Sequence, residues 1–300
     1  MNNSTIFAFF FIILLNSVFS SELANASEGK VKRAYHSKTE DRIVSVGGSV
    51  TEIIYALGGA DTIVAVDSTS IYPEGASLKP NVGYMRRLAA EPILALNSTV
   101  VLAVKDAGPK TVLKQLASAG LNVILIPDKP SLDGVFEKIS HVAEAIGKQN
   151  DGLILSNKIK LKIKNTQNSI SKITDKPRVL FLLSFGRGGA PQAAGKNTSA
   201  DSIIKLAGGI NAIQSFDGYK PLSPEAAVAS LPDVIISTNR SLKMLGGVEG
   251  LVKIPEIAQT PAGKREKVFA MDGLLLLGFG PRIDTAIQKL AKYLHPELFQ

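Results

Sequence analysis

The sequence predicts an α/β chain: two Rossmann-like lobes with central, mostly parallel sheets, joined by one long helix. Three observations predict it. Short apolar runs of β-type alternate with helical stretches over residues 42–148 and again over 177–300. Between these regions, from about Ser131 to Ile173, strand signals are missing and two helical patterns take their place. A stretch of the second half also aligns without gaps on a stretch of the first. Alternation of this kind builds parallel sheets covered by helices on both faces.

Each element has its own signal. Arg42 to Val46 reads as a buried strand entering Gly47-Gly48-Ser49, and Ser49 with Glu52 has the spacing of a capping box for a helix ending at Leu57. Gly58-Gly59 stops that helix before the strand Ile63 to Val66. Val100 to Val104 and Val123 to Ile126 are further strands, with a helix from Lys110 to Ala119 between them. Leu155, Ile159, Ile163, Thr166, Ile170 and Ile173 then repeat at spacings of four and three, which is one face of a helix. Lys158, Lys160, Lys162 and Lys164 lie mostly off that face and read as a solvated surface. This helix belongs to the connector, residues 149–176. Beyond Pro177 come a strand from Val179 to Leu183, a helix from Ser199 to Ala207, strands Val234 to Ser237 and Val268 to Ala270, and a last helix after Pro281. The internal echo sets Glu91 to Ala103 against Glu225 to Ser237, glutamate on glutamate and Val100-Val101-Leu102 on Val234-Ile235-Ile236. Either the lobes are related, or two helix–turn–strand units share a common pattern.

The first 26 residues read as a signal peptide. Ile6 to Leu15 is an apolar run too short to span a bilayer, and Ala24-Asn25-Ala26 is a small-x-small cleavage site. A polar tail over residues 27–41 follows. No Lys or Arg precedes the run, so an N-terminal membrane anchor is the alternative. The chain has no cysteine, which removes disulfides, thiolate metal sites and a lipidated cysteine. His36, His141 and His295 form no ligand pair. The net charge is +8. Export argues against nucleic acid as the partner, leaving an anionic ligand or ordinary solvated charge. Gly47-Gly48-Ser49 and Gly278-Phe279-Gly280 sit where strands meet helices, the places where α/β sheets collect ligands, but neither is a nucleotide fingerprint.

Two such lobes behind a signal peptide resemble the helical-backbone class of ABC-importer substrate-binding proteins, which captures vitamin B12, ferric siderophores, haem and some metal ions. Within it, Val82 to Leu88, Ala193 to Asp201 and Gly278 to Arg282 resemble the haem-binding branch. The resemblance implies a periplasmic, non-enzymatic carrier that captures haem as its transported ligand, and the missing cysteine implies that it is released without a lipid anchor. A ferric siderophore or corrinoid is the alternative cargo, and an exported α/β enzyme the alternative of another class. It also implies an ABC permease dimer with its ATPase as partner, an outer-membrane haem receptor upstream, and a monomeric state. Tyr84 falls where the family places the tyrosine that binds haem iron, with Arg86 two residues on. Ferric iron favours an anionic oxygen, and a free phenol titrates near pH ~10, so iron and a nearby cation must favour the anion. From the residue alone, Tyr84 reads first as a loop tyrosine packed on a lobe, and the Gly-Tyr-x-Arg setting within the matching architecture reverses that preference. Arg187 is a propionate partner or an exposed loop arginine. Gly47 and Gly48 are expected to let ligand or the opposite lobe approach the backbone. The second lobe offers Tyr219, Tyr293, His295 and an apolar Met271 to Leu277 stretch, so five-coordinate iron is expected. Glu91 and Glu225 match the family's permease-docking glutamates; each also suits the start of a helix.

Overall fold

Runs of Val and Ile buried on both faces become the strands of two sheets, as expected for strands covered by helices on each side. The computed structural model describes residues 41–183 and 191–299. In the first lobe β1 (Ile43–Val46) leads into α1 (Gly48–Ala56) and β2 (Ile63–Val66). Helix α2 (Ala90–Leu94), β3 (Val100–Val104), α3 (Lys110–Ser118), β4 (Asn122–Ile126) and α4 (Leu132–Ala145) follow. The sheet order is β2-β1-β3-β4, every pairing parallel.

The connector is α5 (Gln149–Ile170), 22 residues and so roughly 33 Å of rod. Its buried face is Gly152, Ser156, Ile159, Ile163 and Thr166, with Leu155 and Ile170 partly buried, close to the periodicity read from sequence. Gly152 lets α4 come close, since a Cβ there would stand 2.6 Å from the Ala143 Cβ.

The second lobe holds β5 (Arg178–Leu183), β6 (Gln192–Ala194), α6 (Ser199–Leu206), β7 (Ile210–Asn211) and β8 (Tyr219–Pro221). It continues with α7 (Pro224–Ala229), β9 (Val234–Thr238), α8 (Asn239–Met244), β10 (Val268–Met271), α9 (Gly273–Leu277) and α10 (Ile283–Leu294). Its parallel part runs β7-β5-β9-β10, the same order as the first sheet. One edge of β5 is divided: Arg178 and Val179 pair with β7, while Leu182 and Leu183 pair antiparallel with β6, which carries β8 in turn. These antiparallel strands are three residues each, too short for an alternation to show in sequence. Helix α10 packs on α5, and Asp284 in its first turn accepts Lys162 Nζ at 3.0 Å; the Lys162 side chain is still exposed, as expected for the solvated face. One buried apolar cluster runs from the first sheet through Ile159 and Ile163 to Phe181, Ile236 and Leu290, and a second, around Leu180, Leu182 and Ile235, is confined to the second lobe.

The expected capping box does not form. Gly47 occupies the N-cap with φ of 106° and no side-chain bond, and Ser49 and Glu52 are buried inside α1. Their polar atoms are taken by partners distant in sequence, described below, and tertiary contact overrides the local motif.

Candidate functional site

Strand carboxyl ends of both sheets face a cleft of about 820 Å³, towards the upper end of small-molecule sites. On the first wall, buried Asp67 at the end of β2 organises the turns. Its Oδ1 accepts from Gly47 N (2.9 Å) and Ser70 Oγ (2.8 Å), and its Oδ2 from Thr69 N (3.0 Å) and Thr69 Oγ1 (2.7 Å). Gly48 N donates to Thr69 Oγ1 at 3.0 Å. The sequence reading missed Asp67; the Asp-Ser-Thr-Ser run behind a strand is the signal, since Asp side chains hydrogen-bond backbone just ahead of them. Gly48 is required by the adjoining turn, because a Cβ there would lie 2.5 Å from the Thr69 carbonyl oxygen, and it would also meet Leu274 Cδ1 of the other lobe at 2.6 Å. Both glycines line the cleft.

The Tyr84 loop is pinned at both ends. Val82 N and Ser68 N bond across to Val66 O and Gly83 O, and Leu88 N and Gly108 N bond Gly108 O and Met85 O, all within 3.0 Å. Val82, Met85 and Leu88 are buried, which turns Tyr84 and Arg86 outward to line the cleft; Tyr84 is 40% exposed. Arg86 Nη1 donates to the Tyr84 hydroxyl at 2.9 Å, and its Nη2 lies 4.0 Å from Asp106 Oδ2. Both members of that ion pair are more than half exposed, so the pair orients Arg86 and adds little stability.

The opposite wall carries Tyr219, Arg240, Leu274 and Leu277. Burial pushes the Tyr219 phenol above its usual range, and hydrogen bonds from the Ala200 backbone and Thr198 offset part of that. Arg240, two residues beyond β9, was not foreseen. Among the described residues no carboxylate stands within ion-pair distance of it. A signal existed: extending the internal alignment three residues past Ser237 sets Asp106 against Arg240. Arg187 lies outside the described residues, as does the signal-peptide region. His141 and His295 do not line the cleft; His295 is buried with Nε2 3.3 Å from Gly208 O. Among the described residues no group of three or more His, Asp or Glu is placed to hold a metal ion. No described helix is long and apolar enough to cross a membrane.

Beneath the cleft two buried charges join the lobes. Lys138 on α4, wholly buried, donates to Asp128, to Ser49 Oγ (3.1 Å), and to Gly278 O and Phe279 O (3.2 Å each). Glu52 forms a two-pronged pair with Arg282, whose Nε lies 2.9 Å from Oε2, and the guanidinium stacks 3.6 Å from the Tyr72 ring centre. Burial pushes the Glu52 carboxyl up, and Arg282 pulls it only part of the way back.

Glu91 and Glu225 are exposed, each the second residue of the helix preceding the β3 or β9 strand of its lobe. Backbone N–H and Ser223 hold the Glu225 carboxyl below its usual range, a helix-start interaction.

Comparison with known proteins places this geometry. The model of a family described as periplasmic binding protein matches residues 43–274. The periplasmic heme-binding protein RhuT from Roseiflexus sp. RS-1 superposes with a TM-score of 0.83 at 42% identity, covering 86% of this chain and 99% of that one. The periplasmic heme-binding protein HutB of Vibrio cholerae gives 0.78 at 36% identity, over 85% and 99%. An uncharacterized ABC transporter substrate-binding lipoprotein, YvrC of Bacillus subtilis, is 29% identical over 88% of this chain and 82% of its own length.

Proposed function

The chain belongs to the periplasmic binding protein family, and from that premise we propose that it captures haem and delivers it to an ABC-type permease with its ATPase. The observation that carries the reading is Tyr84, a hydroxyl in the cleft with a guanidinium donating to it at 2.9 Å. A phenolate suits ferric iron, and Arg86 favours the anionic oxygen. Arg240 on the facing wall supplies a cation for a propionate, and Met85, Leu274 and Leu277 supply apolar surface for a macrocycle. The names of RhuT and HutB support haem over a siderophore or corrinoid. Gly47 and Gly48 let the ligand approach the backbone, and Glu91 and Glu225 meet the permease. Carriage by a cleaved signal ending at Ala26, without a lipid, rests on the apolar run and on a chain devoid of cysteine. The carrier acts as a monomer, downstream of an outer-membrane haem receptor.

Hemin titration followed by absorbance tests the reading. Wild type should give a high-spin spectrum with a visible charge-transfer band, and Tyr84→Phe should lose the band while keeping its fold. Arg86→Ala should bind more weakly and should lose the tyrosinate spectrum at a higher pH on acidification, because the anion then lacks its cation. Tyr219→Phe should leave the band in place. An unchanged spectrum in Tyr84→Phe would put the iron ligand elsewhere, and no hemin binding by wild type would turn the reading to a siderophore or corrinoid.

A further inference from the structure

The outward face of α5 is not used by the cleft or by the core. Leu153, Ile154 and Leu161 are 65%, 67% and 63% exposed on it. At about 100° per residue, these three with Lys160 and Lys164 fall inside an arc of about 120°, and Lys158 stands just beyond its border. The helix bears one carboxylate, Asp151, which lies 3.8 Å from Lys148. Alongside, α4 and α5 enclose a hollow of about 380 Å³ lined by Phe136, Ser140, Leu153, Asn157 and Lys160, with the Lys160 ammonium 4.7 Å from the Phe136 ring centre. The carboxylates of α4 are Asp133, one turn before Phe136, Glu137, engaged by Lys129 at 3.3 Å, and Glu144, one turn beyond Ser140. Across the arc the order is Lys160, Leu153, Lys164, Leu161 and Ile154, so lysines are interleaved with exposed aliphatics, and Asp151 is the helix's one acid.

We infer that this face docks on an anionic lipid bilayer, with Leu153, Ile154 and Leu161 entering the headgroup boundary and Lys158, Lys160 and Lys164 meeting lipid phosphates. Composition decides between a lipid and a protein occupant. Protein interfaces are depleted in lysine and enriched in arginine and aromatic rings. Lysines around exposed aliphatics are instead the pattern of helices lying in a membrane interface, their stems along apolar surface and their ammonium groups in the headgroup layer. The inference rests on the export part of the proposed function, since only an exported carrier meets the periplasmic membrane face. It does not depend on which ligand fills the cleft.

Co-sedimentation of protein from the periplasmic fraction with phosphatidylglycerol or phosphatidylcholine vesicles tests it. Wild type should bind the anionic vesicles, weaken as salt rises and bind phosphatidylcholine far less. A lysine near an anionic surface strengthens association about fivefold, so K158Q/K160Q/K164Q should bind roughly a hundredfold more weakly. Leu153→Ser with Ile154→Ser and Leu161→Ser should remove the salt-resistant part. Hemin titration of both variants should match wild type, which keeps a failure here apart from a failure of the haem reading. Equal binding to both vesicle types, or undiminished binding by both variants, would overturn the inference. So would a lipid-free dimer in wild type that the same substitutions abolish, because the face would then be a contact between copies.

Discussion

The two lobes share a strand order and differ in what hangs from it. In the first lobe β1 lies between β2 and β3, with β4 outside; in the second β5 lies between β7 and β9, with β10 outside. The internal alignment matches this placement residue for residue, since Val100 pairs with Ile43 and its counterpart Val234 pairs with Val179. Two positions beyond β3 the first lobe puts Asp106 into the cleft, and two positions beyond β9 the second puts Arg240. The carboxylate is then taken up by Arg86, whose other amine holds the Tyr84 hydroxyl. One scaffold thus gives one wall with an oriented phenol and a facing wall whose Arg240 has no ion-pair partner among the described residues. Glu91 and Glu225 stand at matching helix starts of the two lobes.

The largest expected effect tests that likeness. A permease dimer with related subunits would meet the two glutamates with the same chemistry. Replacing both by alanine should abolish haem delivery in an uptake assay and leave hemin binding intact, and each single change should impair delivery in part. Unimpaired uptake by the double variant would reduce both residues to helix-start carboxylates, the role that Glu225 already shows through its bonds with Ser223 and backbone N–H.

Next in size is the joint between the lobes. Arg282→Met leaves Glu52, whose side chain is 3% exposed, without its pair, and removing one partner of a buried ion pair costs about 3–5 kcal/mol. Glu52→Gln in the Arg282→Met background should recover part of that loss in denaturant unfolding. The sign with pH follows from the raised carboxyl. A group with a folded pKa above its unfolded one favours the folded state fully below the unfolded pKa, and that contribution is lost as pH rises through the folded value. The Arg282→Met chain should therefore be least handicapped in acid and lose ground, relative to wild type, on going to neutral pH.

The strand frame was legible because β1, β3, β5 and β9 are buried on both faces and read as unbroken apolar runs. Tyr84 and Arg86 were singled out by the family resemblance of their loop, and the structure sets Arg86 Nη1 2.9 Å from the Tyr84 hydroxyl. Other features escaped for physical reasons. Ser49 and Glu52 have capping-box spacing, yet their partners are Lys138 and Arg282, 89 and 230 residues away, and no local pattern encodes such pairs. Strands β6 and β8 carry too few residues to show a period. Arg240 was hidden only because the internal alignment stopped at Ser237.

The smallest effect expected is in lobe movement, and the joint explains why. Hinge closure by tens of degrees needs a connector that bends and an interface that slides. Here the connector is one unbroken helix, and the apolar cluster continues through it from sheet to sheet. Swinging the segment Gly278–Arg282 away from the first lobe would strip Lys138 of two carbonyl partners and separate Glu52 from Arg282. Uncompensated buried charges of this kind cost several kcal/mol each, more than a modest gain in ligand contact supplies. Closure is thus confined to side chains and the cleft-lining turns, and X-ray scattering profiles with and without hemin should superimpose within error. Lys138→Met sharpens the test, because it deletes the ammonium that holds both carbonyls and should bring out a ligand-dependent compaction that wild type lacks. A large compaction of the wild-type chain on binding hemin would mean that these buried charges do not hold the lobes, and the account of the joint would fail.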